Sequence, residues 1–217
     1  MSTLMPLDLV RKVDHLLLEP PLSRQEIEAG CAVAVRLDCY AVVCKPHYIE
    51  FVRKLLKETH VKTISVVGFP HGSATTATKM FETQDVLQRG ADEVQMVVNI
   101  GALRDGDDLA VKNDILSVVK VARGHPITTI LEMGYLTDEE KIRGCKIAQV
   151  AGAAYIQTGT DFGSAGVTVG EVRLLSAIPE IKVLAAGGIA RRHTAQQMIE
   201  AGAVRIATRF TDRIAQE

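Results

Sequence analysis

A chain of 217 residues and 23.5 kDa has the length of one domain, or at most two small ones. With 47% hydrophobic residues, 4% aromatics and no tryptophan, its core must be built mainly from Val, Ile, Leu and Ala. A net charge of -1 argues against an extended nucleic-acid surface, and no apolar run is long enough to span a membrane.

The N-terminus carries no basic region followed by a continuous apolar stretch, so a cytoplasmic location is expected. Cys31, Cys39, Cys44 and Cys145 fit neither a zinc ribbon nor a CxxC redox site, and read as buried thiols. His15, Asp14 and Glu132 form no recognised metal-ligand spacing, and neither a metal nor a cofactor is expected.

Short β-branched runs alternate with helical patterns along the whole chain. "KVDHLLL" (12–18) is followed by "SRQEIEAGCAVAVRL", where Ser23 and Glu26 have the spacing of a capping box. "YAVVCK" (40–45) precedes "PHYIEFVRKLLKE", which starts on a proline suited to a first helical turn. "VKTISVVGF" (61–69) leads to "TATKMFETQDVLQRG", and "DEVQMVVNI" (92–100) to "AVKNDILSVVKVARG". "PITTILEM" (126–133) is followed by "TDEEKIRGCKIAQVAG", with Thr137 and Glu140 as a second capping pair. "AAYIQT" (153–158), "IKVLAAGG" (181–188) and "AVRIATR" (203–209) alternate with "TVGEVRLLSAI", "RRHTAQQMIEAG" and a short final "FTDRIAQE".

Near-continuous apolar runs of this kind suit parallel strands covered on both faces. Eight such units without a long linker predict a single (β/α)8 TIM barrel over residues 1–217. A doubly wound open sheet is the alternative, but no GxGxxG follows the first strand.

In such a barrel the site lies at the C-terminal ends of the strands, and side chains two apart share a face. That alternation points inward Asp14 on the first strand, and Val43 and Lys45 on the second. It points inward Gln95, Val97 and Asn99 on the fourth strand, and Thr128, Ile130 and Glu132 on the fifth. Tyr155, Gln157 and Gly159 on the sixth strand, with Leu184 and Ala186 on the seventh, complete the set. Lys45 is the one lysine placed inward near a strand mouth, a candidate amine for imine formation. Tyr135, His71 and Asp161 fall on loops that line the same end.

"DHLLLEP", "GFPHGSATTATKMFET", "GADEVQMVVNIGAL", "ILEMGYLTDEE", "AGAAYIQTGTDF", "AAGGIA" and "IEAGAVRIAT" together resemble the deoxyribose-phosphate aldolase family, from about residue 12 to 211. The resemblance implies lyase chemistry through a Schiff-base lysine on the sixth strand. It also implies a second lysine on the seventh, an aspartate on the fourth, a lysine on the fifth, and a homodimer. Those four positions fall here on Gln157, Leu184, Gln95 and Thr128. An amide nitrogen is delocalised into its carbonyl and forms no imine, and Leu184 moves no proton. With both lysines gone a fourth-strand carboxylate would be stranded. Gln157, Gln95 and Thr128 can instead form a neutral hydrogen-bond network or touch a ligand.

Asp14, His15, Asn99, Lys79, Thr76 and Glu132 match the family. Among them His15, Glu132 and Asp14 are candidate acid-base groups, or else groups that order loops. The family's phosphate-binding loops correspond to Gly187 and Gly188, which survive, and to a segment where bulky Arg209 and Phe210 now stand. Arg209 grips a phosphate or carboxylate, closes the former phosphate pocket, or makes a salt bridge. Arg191, Arg192 and His193 read as a solvated helix start.

Three functions follow. The first is a divergent aldolase-like lyase on a small carbonyl or phosphorylated substrate. The second is a non-catalytic pseudoenzyme binding a small anion or a protein partner. The third is an isomerase or cyclase using Glu132 or His15 as base, with Asn99 or Gln95 donating to the oxyanion. An enzyme predicts a deep polar pocket, whereas a pseudoenzyme predicts a plug of Leu184 and Phe210.

Overall fold

The computed structural model describes residues 6–163 and 165–217. Eight parallel strands close into a barrel in chain order, with β8 returning to β1. The strands are β1 (Val13–Leu17), β2 (Ala41–Cys44), β3 (Lys62–Val67), β4 (Glu93–Val97), β5 (Ile127–Ile130), β6 (Tyr155–Gln157), β7 (Val183–Ala186) and β8 (Arg205–Thr208). Each β-strand is shorter than the apolar run that predicted it, because the run continues into the turn beyond the last ladder bond.

Helices cross over between successive strands, as parallel pairing requires. The capping boxes at Ser23/Glu26 and Thr137/Glu140 are both formed, and a third occurs at Thr168/Glu171. Each closes two N–H groups that would otherwise lack partners in the first turn. Gly124 and Gly152 follow helix ends at φ 94° and 91°, a backbone that side chains with a Cβ rarely adopt. A five-residue helix, Ile100–Arg104, lies directly after β4 and was not expected.

The alternating strand faces separate two cores. Val13, Leu17, Val42, Cys44, Met96, Ile156 and Ile206 face outward into the larger core, packed under helices. Leu16, Leu18, Ala41, Val43, Ile64, Val66, Leu184, Ala186 and Ala207 face the axis. The four thiols are all buried, as expected, and burial pushes those of Cys31, Cys39 and Cys145 up to about 12. No described helix is long and apolar enough to cross a membrane.

Candidate functional site at the strand mouths

The axis of the barrel is charged at its floor and apolar near its mouth. At the floor stands Arg205, the first residue of β8, 4% exposed. Its Nη1 donates to Glu93 Oε2 at 3.1 Å, and its Nη2 lies 3.7 Å from Asp14 Oδ2. The guanidinium is stacked between Tyr40 and Tyr155, 4.0 and 4.3 Å from the ring centres. Lys62 completes the cluster, with its Nζ 2.6 Å from Glu93 Oε1 and 2.7 Å from the Tyr40 hydroxyl.

Asp14 is fully buried, and burial raises its carboxyl from the ordinary 3.8 to about 7 against the pull of Arg205. The desolvation cost prevails because the Arg205 contact is an ion pair at 3.7 Å rather than a hydrogen bond. Glu93 sits nearby yet is held below the usual carboxylate range. Its burial opposes this, but Arg205 beside it and hydrogen bonds from Lys62 and Tyr40 outweigh the burial. Sequence reasoning missed Arg205, Glu93, Lys62 and Tyr40. The signal was there: Lys62, Glu93 and Arg205 each open a strand two residues before an inward position.

Above the floor, Gln95 Nε2 donates to Asp14 Oδ2 at 3.3 Å. Gln157 faces the axis, since its neighbour Ile156 packs outward, and its Nε2 donates to the Gly159 carbonyl at 2.7 Å. The expected network among Gln157, Gln95 and Thr128 is not formed. Each amide has taken a different partner, and Gln95 Oε1, Gln157 Oε1 and Thr128 Oγ1 have none among the described residues. Gln157 is 2% exposed and Gln95 fully buried, so neither reaches the open mouth.

The other expected site residues are dispersed. His15 shares the outward face of β1 with Val13 and Leu17, and its Nδ1 lies 2.8 Å from Thr211 Oγ1 under the C-terminal helix. Burial lowers its imidazole to about 4, with Asp212 pulling the other way. Asn99 was expected on a strand facing the axis. Because β4 stops at Val97, Asn99 instead caps the short helix after it, and its Oδ1 accepts from Ala102 N at 3.1 Å.

Glu132 lies beyond the end of β5 in a left-handed backbone, φ 54°. Its Oε2 accepts from Thr160 N at 2.9 Å and from the Thr160 hydroxyl, tying the β5 turn to the loop after β6. Tyr135 is about half exposed on that β5 turn. Arg192 is not simply solvated: its guanidinium donates to the carbonyls of Ile214 and Ala215 at 3.0 and 2.7 Å.

A cavity of about 410 Å³ opens at the strand mouths over β1 to β3, lined by Leu18, Pro20, Lys45, Phe69, His71 and Phe162 among others. Phe69 and Phe162 meet edge to face, with centroids 5.4 Å apart, and form an apolar wall of this cavity. Lys45 lines this cavity, but its Nζ donates to the carbonyls of Glu19 and Pro20 at 2.8 and 3.1 Å. A second hollow of about 410 Å³ is lined by Arg24, His47, Tyr48, Glu50, Phe51 and Lys54.

On the β7 side, Gly187 and Gly188 adopt φ 119° and 70°. The Gly188 N–H donates to Asp161 Oδ1 at 2.7 Å. Arg209 Nη1 lies 3.6 Å from Asp161 Oδ2 and 3.5 Å from Glu19 Oε1.

A closed parallel barrel with helices between its strands and an open cavity at the C-terminal strand ends defines the class as a (β/α)8 barrel. Within that class, a family model described as DeoC/LacD family aldolase matches residues 9–207, and the chain belongs to this family. It is 44% identical over 214 residues to the deoxyribose-phosphate aldolase of Thermococcus gammatolerans, covering 96% of this chain and 95% of that protein. It is 43% identical to the one from Dictyoglomus turgidum, covering 93% of each. Among solved structures, the tetrameric deoxyribose phosphate aldolase of Aeropyrum pernix superposes with a TM-score of 0.92 at 27% identity, covering 98% of this chain and 91% of that one.

Proposed function

We propose that this chain is an aldolase-family barrel that binds a small carbonyl compound with a largely apolar body at the mouths of β1 to β3, and forms no imine on β6. The observation that carries this reading is Gln157, an amide on the axis-facing side of β6 with its nitrogen bonded to Gly159. An imine needs an amine with a free lone pair, which an amide lacks. Leu184 on β7 stands in the inner apolar cluster and offers no charge with which to tune a neighbour. The groups that could act as acid or base elsewhere are engaged: Glu132 with Thr160, and His15 with Thr211 on the far side of β1. Proton abstraction by either, as in an isomerase or cyclase, therefore draws less support.

A lyase-like second reading rests on Lys45, the amine that lines the mouth cavity. Its imine would release the same kind of carbonyl intermediate from a different strand.

The relatives are named for deoxyribose phosphate, which makes that compound and acetaldehyde the first to test. The protein is incubated with each in the presence of borohydride and its intact mass measured. No mass increase and no acetaldehyde release above the blank are expected. An adduct mapped to Lys45 would replace the binding reading with the lyase reading, and an adduct on any other lysine would overturn both.

A further inference from the structure

We infer that Asp161 is a built-in anion, and that its carboxylate fills the anion site at the β7 mouth so that phosphate monoesters are excluded. The site is made of one N–H donor and one cation. The left-handed turn at Gly187 and Gly188 presents the Gly188 N–H toward the loop after β6, and Arg209 reaches in from the end of β8. Both point at one carboxylate, with Oδ1 2.7 Å from Gly188 N and Oδ2 3.6 Å from Arg209 Nη1. A backbone N–H in a glycine turn next to a guanidinium is a general receptor for a tetrahedral oxyanion. Here the receptor is occupied by the chain itself, and an incoming phosphate meets a like charge at the position its own oxygens need.

Two further observations suit this role. Asp161 adopts φ 69°, a backbone uncommon for residues with a Cβ, and the bond to Gly188 holds it there. Its side chain is only 12% exposed, so water screens the charge weakly. The same Arg209 nitrogen lies 3.5 Å from Glu19 Oε1, a second carboxylate that remains beside the guanidinium when Asp161 is replaced. The inference goes beyond the proposed function, because it concerns which anions the mouth refuses rather than which amine reacts.

The test is Asp161→Gly, titrated with inorganic phosphate while the Gly188 amide is followed by NMR. Glycine adopts the left-handed backbone freely, so the loop keeps its course. Wild type is expected to show no saturable shift. Asp161→Gly is expected to bind phosphate at least about tenfold more tightly, the factor that about 1.4 kcal/mol gives. Asp161→Gly combined with Arg209→Ala is expected to return to the wild-type response.

Asp161→Asn, which also tolerates the left-handed backbone, leaves a neutral occupant that phosphate can displace, and is expected to fall between wild type and Asp161→Gly. Equal binding by wild type and Asp161→Gly would overturn the inference. So would the absence of a gain in both Asp161 variants, or binding that survives Arg209→Ala. The readout is phosphate at Gly188, so its failure leaves the proposed function standing. An aldehyde adduct on Lys45 would likewise leave this inference standing.

Discussion

Arg205 opens β8 and Arg209 directly follows its last residue, one at each end of the barrel, and they face opposite conditions. Arg205 is 4% exposed, flanked by two carboxylates and sandwiched by two tyrosines. The Arg209 side chain is 37% exposed and reaches its carboxylates only at 3.5 and 3.6 Å. A buried charge is costly unless partners surround it, so the floor is built as an interlocked cluster that cannot lose one member quietly. The Arg209 guanidinium at the mouth is partly screened by water, so its partners can change without endangering the fold. The barrel therefore spends its electrostatic order on the floor and leaves the mouth chemically adjustable. Gln157, Leu184, Gln95 and Thr128 sit between these two ends.

The sharpest break of this contrast is Arg205→Ala. It removes the cation paired with Asp14 and leaves Glu93 to Lys62 and Tyr40 alone, and is expected to cost about 3–5 kcal/mol in chemical denaturation. A loss as small as that of a surface pair would show that the floor cluster does not hold the barrel together.

The next effect is a dependence on pH. Asp14 is raised to about 7 in the folded chain and titrates near 3.8 when unfolded, so the folded state binds the extra proton between those values. Its contribution is fully present below about 3.8 and is lost as pH rises through about 7. His15 is lowered to about 4 from 6.5, so its contribution has the opposite sign and grows as pH rises across that window. The two partly cancel in wild type. Asp14→Asn removes the falling component, and its stability is expected to gain on wild type steadily from pH 4 to 7 in urea melts. A constant difference across that range would mean that Asp14 is not held protonated at the floor.

The smallest effect belongs to the mouth. Arg209→Ala is expected to change stability by less than about 1 kcal/mol in the same melts. A larger loss would place the mouth under the same constraint as the floor.

Much of the barrel could be read from the chain. The eight apolar runs located the strands, and the capping pairs at Ser23 and Thr137 located two helix starts. The inward positions of Asp14, Gln95, Gln157 and Leu184 followed from alternation alone. Asn99 and Glu132 were misplaced as strand residues because the apolar runs outlast the ladders, and both side chains turned to cap or tie a loop. The floor cluster escaped notice because a charge at the start of an apolar strand reads as a solvated end until the strands close around it.

The sequence by itself determined the architecture and the family, and placed the uncharged Gln157, Leu184, Gln95 and Thr128 on the axis, since periodicity and residue type are local properties. Only the tertiary structure decided what each polar group bonds to. Asp14 meets Gln95 across 81 residues, Arg205 meets Glu93 across 112, and Asp161 meets Gly188 across 27. Those partners are set by barrel closure and loop course. Desolvation then makes each pairing obligatory at the floor and optional at the mouth.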